Sequence, residues 1–574
     1  MDRILTADTV ITMDPRRPRA QAVAVSDERI VAVGTLAECE SALPGAARVD
    51  TGAPALMPGF IDAHSHPVVT GPGVMPPNHW IAPWFAPTWD DVLAMFHKAI
   101  EDTEPGSPLA FSGFDALLHQ HEAPDAATLD AIFGDRMVFV LDNSGHAGYV
   151  TTAVLKALGF TDNPPADPIG GSFERNPDGS LNGRAHEVPA IETFADAVAT
   201  AFLAQGHPLQ GAVEYYLYMA AAGVTSTTEH TYRTSVKTAY ESLAKLPSCP
   251  LRISLYHMST EADAGEPFTS DAPENMLRKV GVKLWADGSP WVGNVAMSSP
   301  YLDTPTTHAA GIKPGPHGEE EMNYSRAQLD SLLDQYAPQG WQMSFHANGD
   351  VAADIVLDAF SRALSEHGLS GTDHRWRIEH VGGARQDQFP RMAQIGVVPS
   401  LGPFQFSYWG DLLDGKMFSS EVGSQWQRAR DAFDAGLKVS FHNDGSVSPP
   451  MPLRSVQAMV TRRTVSGQLH GADQAISVDE ALRAITINAA YSLRFDDQVG
   501  SIENGKLADF VLLDADPYAV PVDHLEKIEI LGTWVGGSPI DMDEFASAGD
   551  GLPTDGIDQM ITLGVPLCRH GAPA

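Results

Sequence analysis

The chain is poor in cysteine, in basic residues and in long apolar runs. Only three cysteines occur in 574 residues, Cys39, Cys249 and Cys568, and none belongs to a CxxC pair. A disulfide framework and a thiolate zinc site are therefore excluded, and a reducing compartment is favoured. Neither an apolar leader region nor a run of about 18 apolar residues is present, so we predict no membrane span and a cytoplasmic location.

Basic side chains are outnumbered by acidic ones. The chain has 37 Lys and Arg against 73 Asp and Glu, which gives a formal net charge of -36. A field of this sign repels phosphates and anionic lipid surfaces, so neither nucleic acid nor a membrane is expected as a partner. The composition is nevertheless 43% hydrophobic, which is typical of a globular protein with a sizeable core.

Both ends of the chain have the texture of short strands. Residues 4–33 contain β-branched runs joined by polar turns, and similar runs return in GSIENGKLADFVLLDADP and IEILGTWVGGSPI. We predict one small β-sandwich domain formed from residues 1–56 and 495–545. Residues 546–574 are predicted to be a C-terminal tail that packs on a neighbouring subunit.

The centre of the chain alternates short apolar runs with segments of helical periodicity, which indicates repeated βα units and a parallel sheet. Eight such strands favour a (β/α)8 barrel of the TIM type over residues 57–494, with an insertion at residues 71–212 after the first strand. The strand candidates are MPGFIDAHSH, AGVTSTTEH, LRISLYHM, VGVKLWADG, WQMSFHANG, RWRIEHV, IGVVPSLGP and LKVSFHNDG.

Histidine and carboxylate side chains lie within or at the end of these strand candidates, which is where barrel enzymes build their active sites. His64 and His66 are two residues apart on an extended segment, so both side chains lie on one side of it. Imidazole is a preferred ligand of zinc and other divalent ions. We therefore predict that this pair binds a metal ion rather than forming a structural hydrogen-bonded pair.

Later strands supply further candidate ligands. His346 and His380 end two successive strand candidates, and Asp444 ends the last one. The Asp444 carboxylate is suited both to ligate a cation and to take a proton from metal-activated water. His442 lies two residues earlier on the same strand, and we assign it to the core or to a position behind the ligands.

Lys283 lies in the apolar run VGVKLWADG, where a buried ammonium is costly unless it is paired or modified. One alternative is an ion pair with Asp287 or Asp444. The second is a carbamate, formed by the neutral amine and carbon dioxide, whose two oxygens are able to bridge two metal ions. We expect Asp287 to cap a loop or to lie behind the ligands rather than to ligate.

These motifs, in this order, resemble those of the amidohydrolase superfamily, specifically the amidohydrolase-3 group that includes N-substituted formamide deformylase. The resemblance covers nearly the whole chain. It implies His64 and His66 on a first metal, carbamylated Lys283 as a bridge, His346 and His380 on a second metal, and Asp444 as ligand and base. The last motif departs from the usual Gly-Ser-Asp, because Asp444 here follows His442 and Asn443.

Four further side chains are predicted to contact the substrate. His146, in the segment SGHAGYV, resembles a residue of the same group, although a loop hydrogen bond is an equally good interpretation. Trp84, Phe406 and Trp409 are candidates for apolar walls near the mouth of the barrel, and the alternative for them is local packing.

The predicted function is hydrolysis of an amide C–N bond in a small molecule by one or two divalent metal ions, with zinc preferred and with Asp444 and Lys283 as catalytic residues. The resemblance further implies a homodimer. A deaminase is a rival, but HANGD lacks the Glu that such enzymes place after this histidine. A cyclic-amide hydrolase is a second rival, and a catalytically inactive scaffold that keeps the barrel is a third.

Overall fold

The computed structural model describes residues 2–168, 171–186, 188–202 and 208–552. Its strands, in chain order, are β1 (Arg3–Ile11), β2 (Arg19–Ser26), β3 (Arg29–Gly34), β4 (Ala47–Asp50), β5 (Ala55–Pro58), β6 (Phe60–Ile61), β7 (His79–Trp80), β8 (Leu109–Phe114), β9 (Val138–Asp142), β10 (Ala147–Val150), β11 (Ser172–Arg175), β12 (Leu181–His186), β13 (Val224–Tyr232), β14 (Arg252–Met258), β15 (Leu277–Trp285), β16 (Met297–Tyr301), β17 (Gly315–His317), β18 (Gln342–Ala347), β19 (Arg377–His380), β20 (Val398–Leu401), β21 (Ser440–Phe441), β22 (Phe510–Leu513), β23 (Ile530–Val535) and β24 (Ser538–Pro539).

The α-helices, in the same order, are α1 (Leu36–Ala42), α2 (Pro67–Val74), α3 (Trp89–Asp102), α4 (Ala126–Phe133), α5 (Thr152–Ala157), α6 (Val188–Phe202), α7 (Pro208–Ala221), α8 (Lys237–Ala244), α9 (Pro305–Ala309), α10 (Arg326–Tyr336), α11 (Asp350–Glu366), α12 (Gln388–Ile395), α13 (Pro403–Leu413), α14 (Ser420–Gly423), α15 (Ala429–Asp434), α16 (Pro452–Thr461), α17 (Val478–Ala484), α18 (Ile487–Ser492) and α19 (Met542–Gly549). Within the described ranges, no helix is long and apolar enough to span a membrane.

A curled parallel sheet forms the centre of the fold. Its strand order is β6-β13-β14-β15-β18-β19-β20-β21, and every neighbouring pair is parallel. All eight strand candidates are strands of this sheet, in chain order. Just beyond the two outer strands, the backbone N–H of Ala63 donates to the carbonyl of Phe441 (3.2 Å) and that of Asp444 to the carbonyl of His64 (3.0 Å). The sheet therefore curls until its outer strands meet.

The strands of this sheet are buried on both faces, including the polar residues that several of them carry. Every residue of β13, β14, β19 and β20 is buried, as expected for parallel strands covered by helices. Helices such as α11 and α12 follow their strands and pack against the sheet or each other. The carboxyl ends of the strands consequently meet at one rim, where the loops after them carry the predicted ligands.

A second sheet lies within the predicted insertion. Its order is β11-β12-β10-β9-β8-β7, with β7, β8 and β9 parallel and the others antiparallel. Helices α2 and α7 pack together where the chain leaves and re-enters the central sheet. They approach so closely that a Cβ on Gly71 would lie 2.4 Å from the carbonyl oxygen of Gly211, which explains why glycine occupies that position.

Strands from the two chain ends form a third sheet, in the order β24-β23-β22-β5-β1-β2-β3, with β4 paired to β1. The predicted union of the two ends thus takes the form of one eight-stranded sheet, and its last N-terminal strand runs to Pro58. The buried ion pair between Arg252 and Asp509 (2.7 and 2.9 Å) connects this sheet to the central one. Its description as a β-sandwich stays a prediction.

Helix α19 spans the predicted boundary between residues 545 and 546. Phe545, the last residue of the predicted β-sandwich segment, is buried and stacks on Tyr216 of α7, with ring centroids 6.1 Å apart. In the predicted tail, Gly549 is buried and a Cβ there would lie 2.8 Å from Val213 of α7, so this first part of the tail packs on the chain itself. Residues 553–574 lie outside the described residues, and so does most of the predicted contact with a second subunit.

Candidate metal centre

His64 and His66 follow β6 and face a single carboxylate across the rim of the central sheet. The Nε2 atom of His64 lies 3.5 Å from Asp444 Oδ1, and the Nε2 atom of His66 lies 3.3 Å from the same oxygen. All three residues are buried or nearly so. The first and last strands of the sheet therefore bring together three of the predicted ligands, although they are almost four hundred positions apart in the chain.

Two buried glutamates hold the outer nitrogens of the same histidines. His64 Nδ1 donates to Glu379 Oε2 (2.9 Å), and His66 Nδ1 donates to Glu229 Oε1 (3.1 Å). A proton on Nδ1 leaves the lone pair on Nε2, the atom that faces Asp444. A carboxylate behind a ligating histidine is the usual way to set its tautomer and orientation.

Neither glutamate was predicted from the sequence. Their signal was an acidic residue directly before a histidine at the end of a strand candidate, in STTEH and RIEH. Glu229 also accepts from the hydroxyls of Thr231 (2.6 Å) and Tyr240. Glu379 is paired with the fully buried Arg377 (2.7 and 2.9 Å), so both carboxylates are satisfied by several donors, as a buried charge requires.

Lys283 lies at the end of β15 and is 1% exposed. Its Nζ atom is 3.4 Å from His64 Nε2, and it lies 5.4 Å from the centroid of the Trp285 ring. The prediction that Lys283 joins the site therefore agrees with its position next to a ligand atom.

His380 and His346 end the neighbouring strands β19 and β18, with ring centroids 4.3 Å apart. His380 Nδ1 lies 3.8 Å from Asp444 Oδ2 and 3.2 Å from His442 Nε2. His346 points its Nε2 atom at the carbonyl of Gly288 (3.0 Å). His380 thus lies beside Asp444, whereas the ring of His346 contacts the ring of His380. His442 lies behind His380, in agreement with the sequence-based assignment.

His230 is a further histidine of the site that the sequence reasoning missed. Its ring is stacked on His64, with centroids 3.9 Å apart and planes at 3°. Its Nε2 atom is 3.2 Å from the hydroxyl of Ser344, which in turn donates to Glu379. His64, His230 and Glu379 form one group with donor atoms close enough to share a cation, and His64, His380 and Asp444 form another.

Burial keeps most of these imidazoles neutral. It is the main cause that lowers the pKa of His346 to about 3 and of His442 to about 4, and it holds the pKa values of His64 and His380 well below the ordinary value. A neutral imidazole has the lone pair that a metal ion needs.

His66 and Asp444 behave differently because they contact each other. Burial alone would lower the pKa of His66, but hydrogen bonds to Asp444 and Glu229 outweigh it and raise the pKa to about 9. Burial likewise opposes ionisation of Asp444, yet the hydrogen bond from His66 and the neighbouring His380 hold its pKa far below the ordinary range. The negative charges of Asp444 and Glu229 therefore favour a positive charge at His66.

Asp287 caps the loop after β18. Its Oδ1 atom lies 3.9 Å from the Nε2 atom of His346. Its carboxylate accepts the backbone N–H groups of Asn348 (2.9 Å), Gly349 (2.8 Å) and Ala296 (3.2 Å). A Cβ on Gly349 would lie 1.9 Å from the Ala296 carbonyl oxygen, so the HANGD motif needs glycine there. This position matches the predicted loop-capping role.

A cavity opens directly over the cluster, and the space in it that no protein atom fills is about 660 Å³, including the mouth. The side chains that line it beside the predicted ligands are Val69, Thr70, Ser144, His146, Trp285, Ser289, Trp291, Asn348, Gln405, Ser446 and Val447. Of the four residues predicted to contact substrate, His146 lines this cavity.

The remaining three predicted substrate contacts do not line it. Trp409 is buried behind the lining residue Trp291, on which it stacks at 4.8 Å. Phe406 is covered by the guanidinium of Arg462 at 3.8 Å, and Trp84 packs edge-on against neighbouring aromatic rings. Local packing, the alternative interpretation of these aromatics, describes where they lie.

The donor set fits a divalent cation. Tetrahedral bonds of about 2.0–2.1 Å place neighbouring ligand atoms roughly 3.3 Å apart, and the distances from Asp444 Oδ1 to His66 Nε2 and His64 Nε2 are 3.3 and 3.5 Å. Neutral imidazole and carboxylate are the ligand types that zinc and related ions prefer. The ligand atoms of His64, His380 and Asp444 all lie within 4.8 Å of one another, so these residues would be close enough to hold such an ion.

Comparison with known proteins agrees with this architecture. The profile of the amidohydrolase family matches residues 50–541, and the chain therefore belongs to that family, as the motifs indicated. A profile of the bacterial imidazolonepropionase-like composite domain matches residues 22–46. N-substituted formamide deformylase of Arthrobacter pascens is 28% identical, over 93% of this chain and 97% of that protein.

Two further relatives are similar along their whole length. The protein LONG AFTER FAR-RED 3 of Arabidopsis thaliana is 25% identical, over 94% of this chain and 91% of that protein. The crystal structure of an uncharacterized metal-dependent hydrolase from Pyrococcus horikoshii superposes with a TM-score of 0.68 at 22% identity and covers 91% of this chain and 99% of that one. At 22% identity, the similarity to the Pyrococcus structure shows that the two proteins share a fold.

Proposed function

We propose that this hydrolase cleaves an amide C–N bond of a small molecule and depends on bound divalent metal. One observation carries the proposal: the Nε2 atoms of His64 and His66 converge on Asp444 while buried glutamates hold their Nδ1 atoms. A purely structural cluster would not need a buried carboxylate behind each histidine that turns both Nε2 atoms toward a third carboxylate. We also interpret the curled sheet as the (β/α)8 barrel of this family.

The proposed ligands of one or two ions are His64, His66, Lys283, His346, His380 and Asp444. Zinc suits these donors best, and a carbamate on Lys283 would add two anionic oxygens beside His64. When bound, the metal supplies Lewis-acid polarisation of the scissile carbonyl and lowers the pKa of water. His64 and His66 keep their ligating nitrogens in place because Glu379 and Glu229 fix their orientation.

Asp444 performs the proton transfer in this proposal. Its carboxylate lines the cavity, so it is placed to take a proton from the attacking water as the water oxygen bonds to the carbonyl carbon. It then gives the proton to the nitrogen as the C–N bond breaks. The products are a carboxylic acid and an amine, so no oxidant or further reactant is needed.

The test uses metal-depleted protein and an Asp444→Asn variant. Hydrolysis of N-acyl and N-formyl amines is measured before and after addition of zinc, with metal content determined by plasma mass spectrometry. We expect activity to disappear on metal removal, and loss of the proton-transfer group to lower kcat by about 10²–10⁴-fold. Asp434→Asn is the matched control, because Asp434 makes only an exposed contact with Arg430.

Full activity of the metal-depleted protein, or of Asp444→Asn, would contradict the proposal. A cyclic amide and an aminopurine belong in the same screen, because exclusive turnover of either would instead support a cyclic-amide hydrolase or a deaminase. Stoichiometric metal separates all of these from an inactive scaffold. We also propose a homodimer in the cytoplasm, and light scattering of the purified chain tests its subunit number.

A further inference from the structure

Two buried side-chain oxygens in the cavity have no hydrogen-bond partner within the part of the chain that the structure describes. They are Oε1 of Gln405 and Oδ1 of Asn348, and both residues line the cavity over the metal cluster. Gln405 is 4% exposed and Asn348 is 3% exposed. Buried polar atoms are almost always paired, so two unpaired acceptors in one small cavity call for a donor from outside the chain.

The orientation of the Asn348 amide is set by its surroundings. Its Nδ2 group donates to the carbonyl of Gly288 (3.1 Å), so the remaining atom, Oδ1, is an acceptor. The backbone of Asn348 is held by Asp287, which accepts its N–H at 2.9 Å. The free acceptor is therefore rigidly placed, two residues beyond the candidate ligand His346.

Gln405 reaches the same cavity from the segment after β20, two strands along the sheet from β18. It lies in the first turn of α13, and its backbone N–H donates to the carbonyl of Gly402 (3.1 Å). A Cβ added to Gly402 would lie 3.2 Å from His442 Nε2 and 3.4 Å from the Gln405 amide carbon. The amide of Gln405 is thus close to His442, which contacts the candidate ligand His380.

We infer that Gln405 and Asn348 accept hydrogen bonds from N–H groups of the substrate and select amides that carry an N–H. The preferred class is primary amides and N-monosubstituted amides, and the disfavoured class is N,N-disubstituted amides and esters. A substrate without an N–H would fill the cavity and leave both acceptors unpaired, which a buried site penalises strongly. This inference rests on the proposed function, because it specifies the substrate of the same site.

The experiment compares three matched compounds: an N-alkylformamide, its N,N-dialkyl analogue and the corresponding alkyl formate. Their kcat/KM values are measured with the zinc-loaded wild-type enzyme, with Gln405→Met and with Gln405→Glu. Methionine keeps the length of the side chain and removes the acceptor, whereas glutamate keeps an acceptor. Gln335→Met is the control, because Gln335 is exposed on α10.

We expect Gln405→Met to reduce the ratio of kcat/KM for the N-alkyl over the N,N-dialkyl compound by about tenfold. The ratio of the N-alkyl compound over the formate ester should fall similarly, because neither reference compound has an N–H. Gln405→Glu should retain most of the ratio. A purely steric preference against the bulkier dialkyl compound would survive in Gln405→Met. An unchanged ratio in that variant would therefore overturn the inference.

Binding provides a readout that does not need turnover. Calorimetry with metal-depleted wild-type protein, in which no turnover is expected, should give a lower Kd for the N-alkyl than for the N,N-dialkyl compound. The difference should shrink when Gln405→Met is introduced, because only the Asn348 acceptor then remains. Selective binding without any amide turnover by the wild type would sink the proposed reaction and keep the inference. Equal binding of both compounds to the metal-depleted wild-type protein would overturn the inference whatever the enzyme hydrolyses.

Discussion

Replacement of Glu229 by glutamine should weaken metal binding without unfolding the protein. Glu229 is fully buried and accepts from His66 Nδ1 at 3.1 Å, and the amide oxygen of glutamine is able to accept the same bond. The variant therefore loses only the charged part of that interaction. Charge-assisted bonds are roughly twice as strong as neutral ones, so the loss is about 1.4 kcal/mol, which is a tenfold rise in the Kd for zinc.

The assay is competition between the protein and a chromophoric chelator for zinc at constant pH. Thr231 still has an acceptor in the variant, and the Tyr240 hydroxyl is able to turn and accept from the new amide. Thermal unfolding of the metal-free variant should therefore stay close to that of the wild type.

Glu241→Gln is the matched control, because Glu241 lies on the adjacent helix α8 and contacts only Lys237 at 3.5 Å among the described ion pairs. Its zinc affinity should equal that of the wild type. If Glu229→Gln also binds zinc with wild-type affinity, then the carboxylate does not tune His66. If the Glu229→Gln variant instead fails to fold, the hydrogen bonds of Glu229 are needed for folding.

Three further predictions concern stability and its pH dependence. Arg377→Leu leaves the fully buried Glu379 without its cation, so denaturant unfolding should show a loss of about 3–5 kcal/mol. Gly349→Ala places a methyl group 1.9 Å from the carbonyl oxygen of Ala296 and should cost about 1–3 kcal/mol in the same assay. Burial is the main cause that lowers the pKa of His119 to about 4. Its contribution to stability is therefore fully present above pH 6.5 and is lost as the pH falls through 4, with a total loss of about 3 kcal/mol. His119→Gln should flatten the stability curve between pH 6.5 and 4.

Each of these predictions has a reference variant or a result that contradicts it. Lys98→Ala breaks an exposed pair with Asp102 and should change stability by less than about 0.5 kcal/mol. Gly532→Ala adds a methyl group whose nearest neighbour is at 3.7 Å, and it should be tolerated. Equal losses in Arg377→Leu and Lys98→Ala, or in the two glycine variants, would refute the burial argument, as would an unchanged acid limb in His119→Gln.

Much of the central sheet was predictable because its strands are local patterns. Short apolar runs such as VGVKLWADG and WQMSFHANG, separated by helical periodicity, predict parallel strands from the sequence alone. In a parallel sheet all carboxyl ends point to one rim, so a polar residue at the end of each strand is enough to place His64, Lys283, His346 and Asp444 in one region. In the structure, these four side chains line one cavity.

The identity of side-chain neighbours was decided only by the tertiary structure. Glu379 bonds to His64 across 315 positions of the chain, and Glu229 bonds to His66 across 163. No periodicity encodes such a bond, because its existence depends on the curl of the sheet and on side-chain rotamers at both ends.

The tertiary structure also decides which residues line the cavity and which do not. Trp409 looks like a substrate contact in the sequence, yet Trp291 lies between it and the cavity, whereas Gln405, four residues earlier on the same helix, lines it. Residues four apart share one face of an α-helix, so periodicity does not distinguish Gln405 from Trp409. The position of the Trp291 ring is what separates Trp409 from the cavity. The sequence by itself therefore determined the strands and the chemistry at their ends, and three-dimensional packing decided which atoms face the substrate.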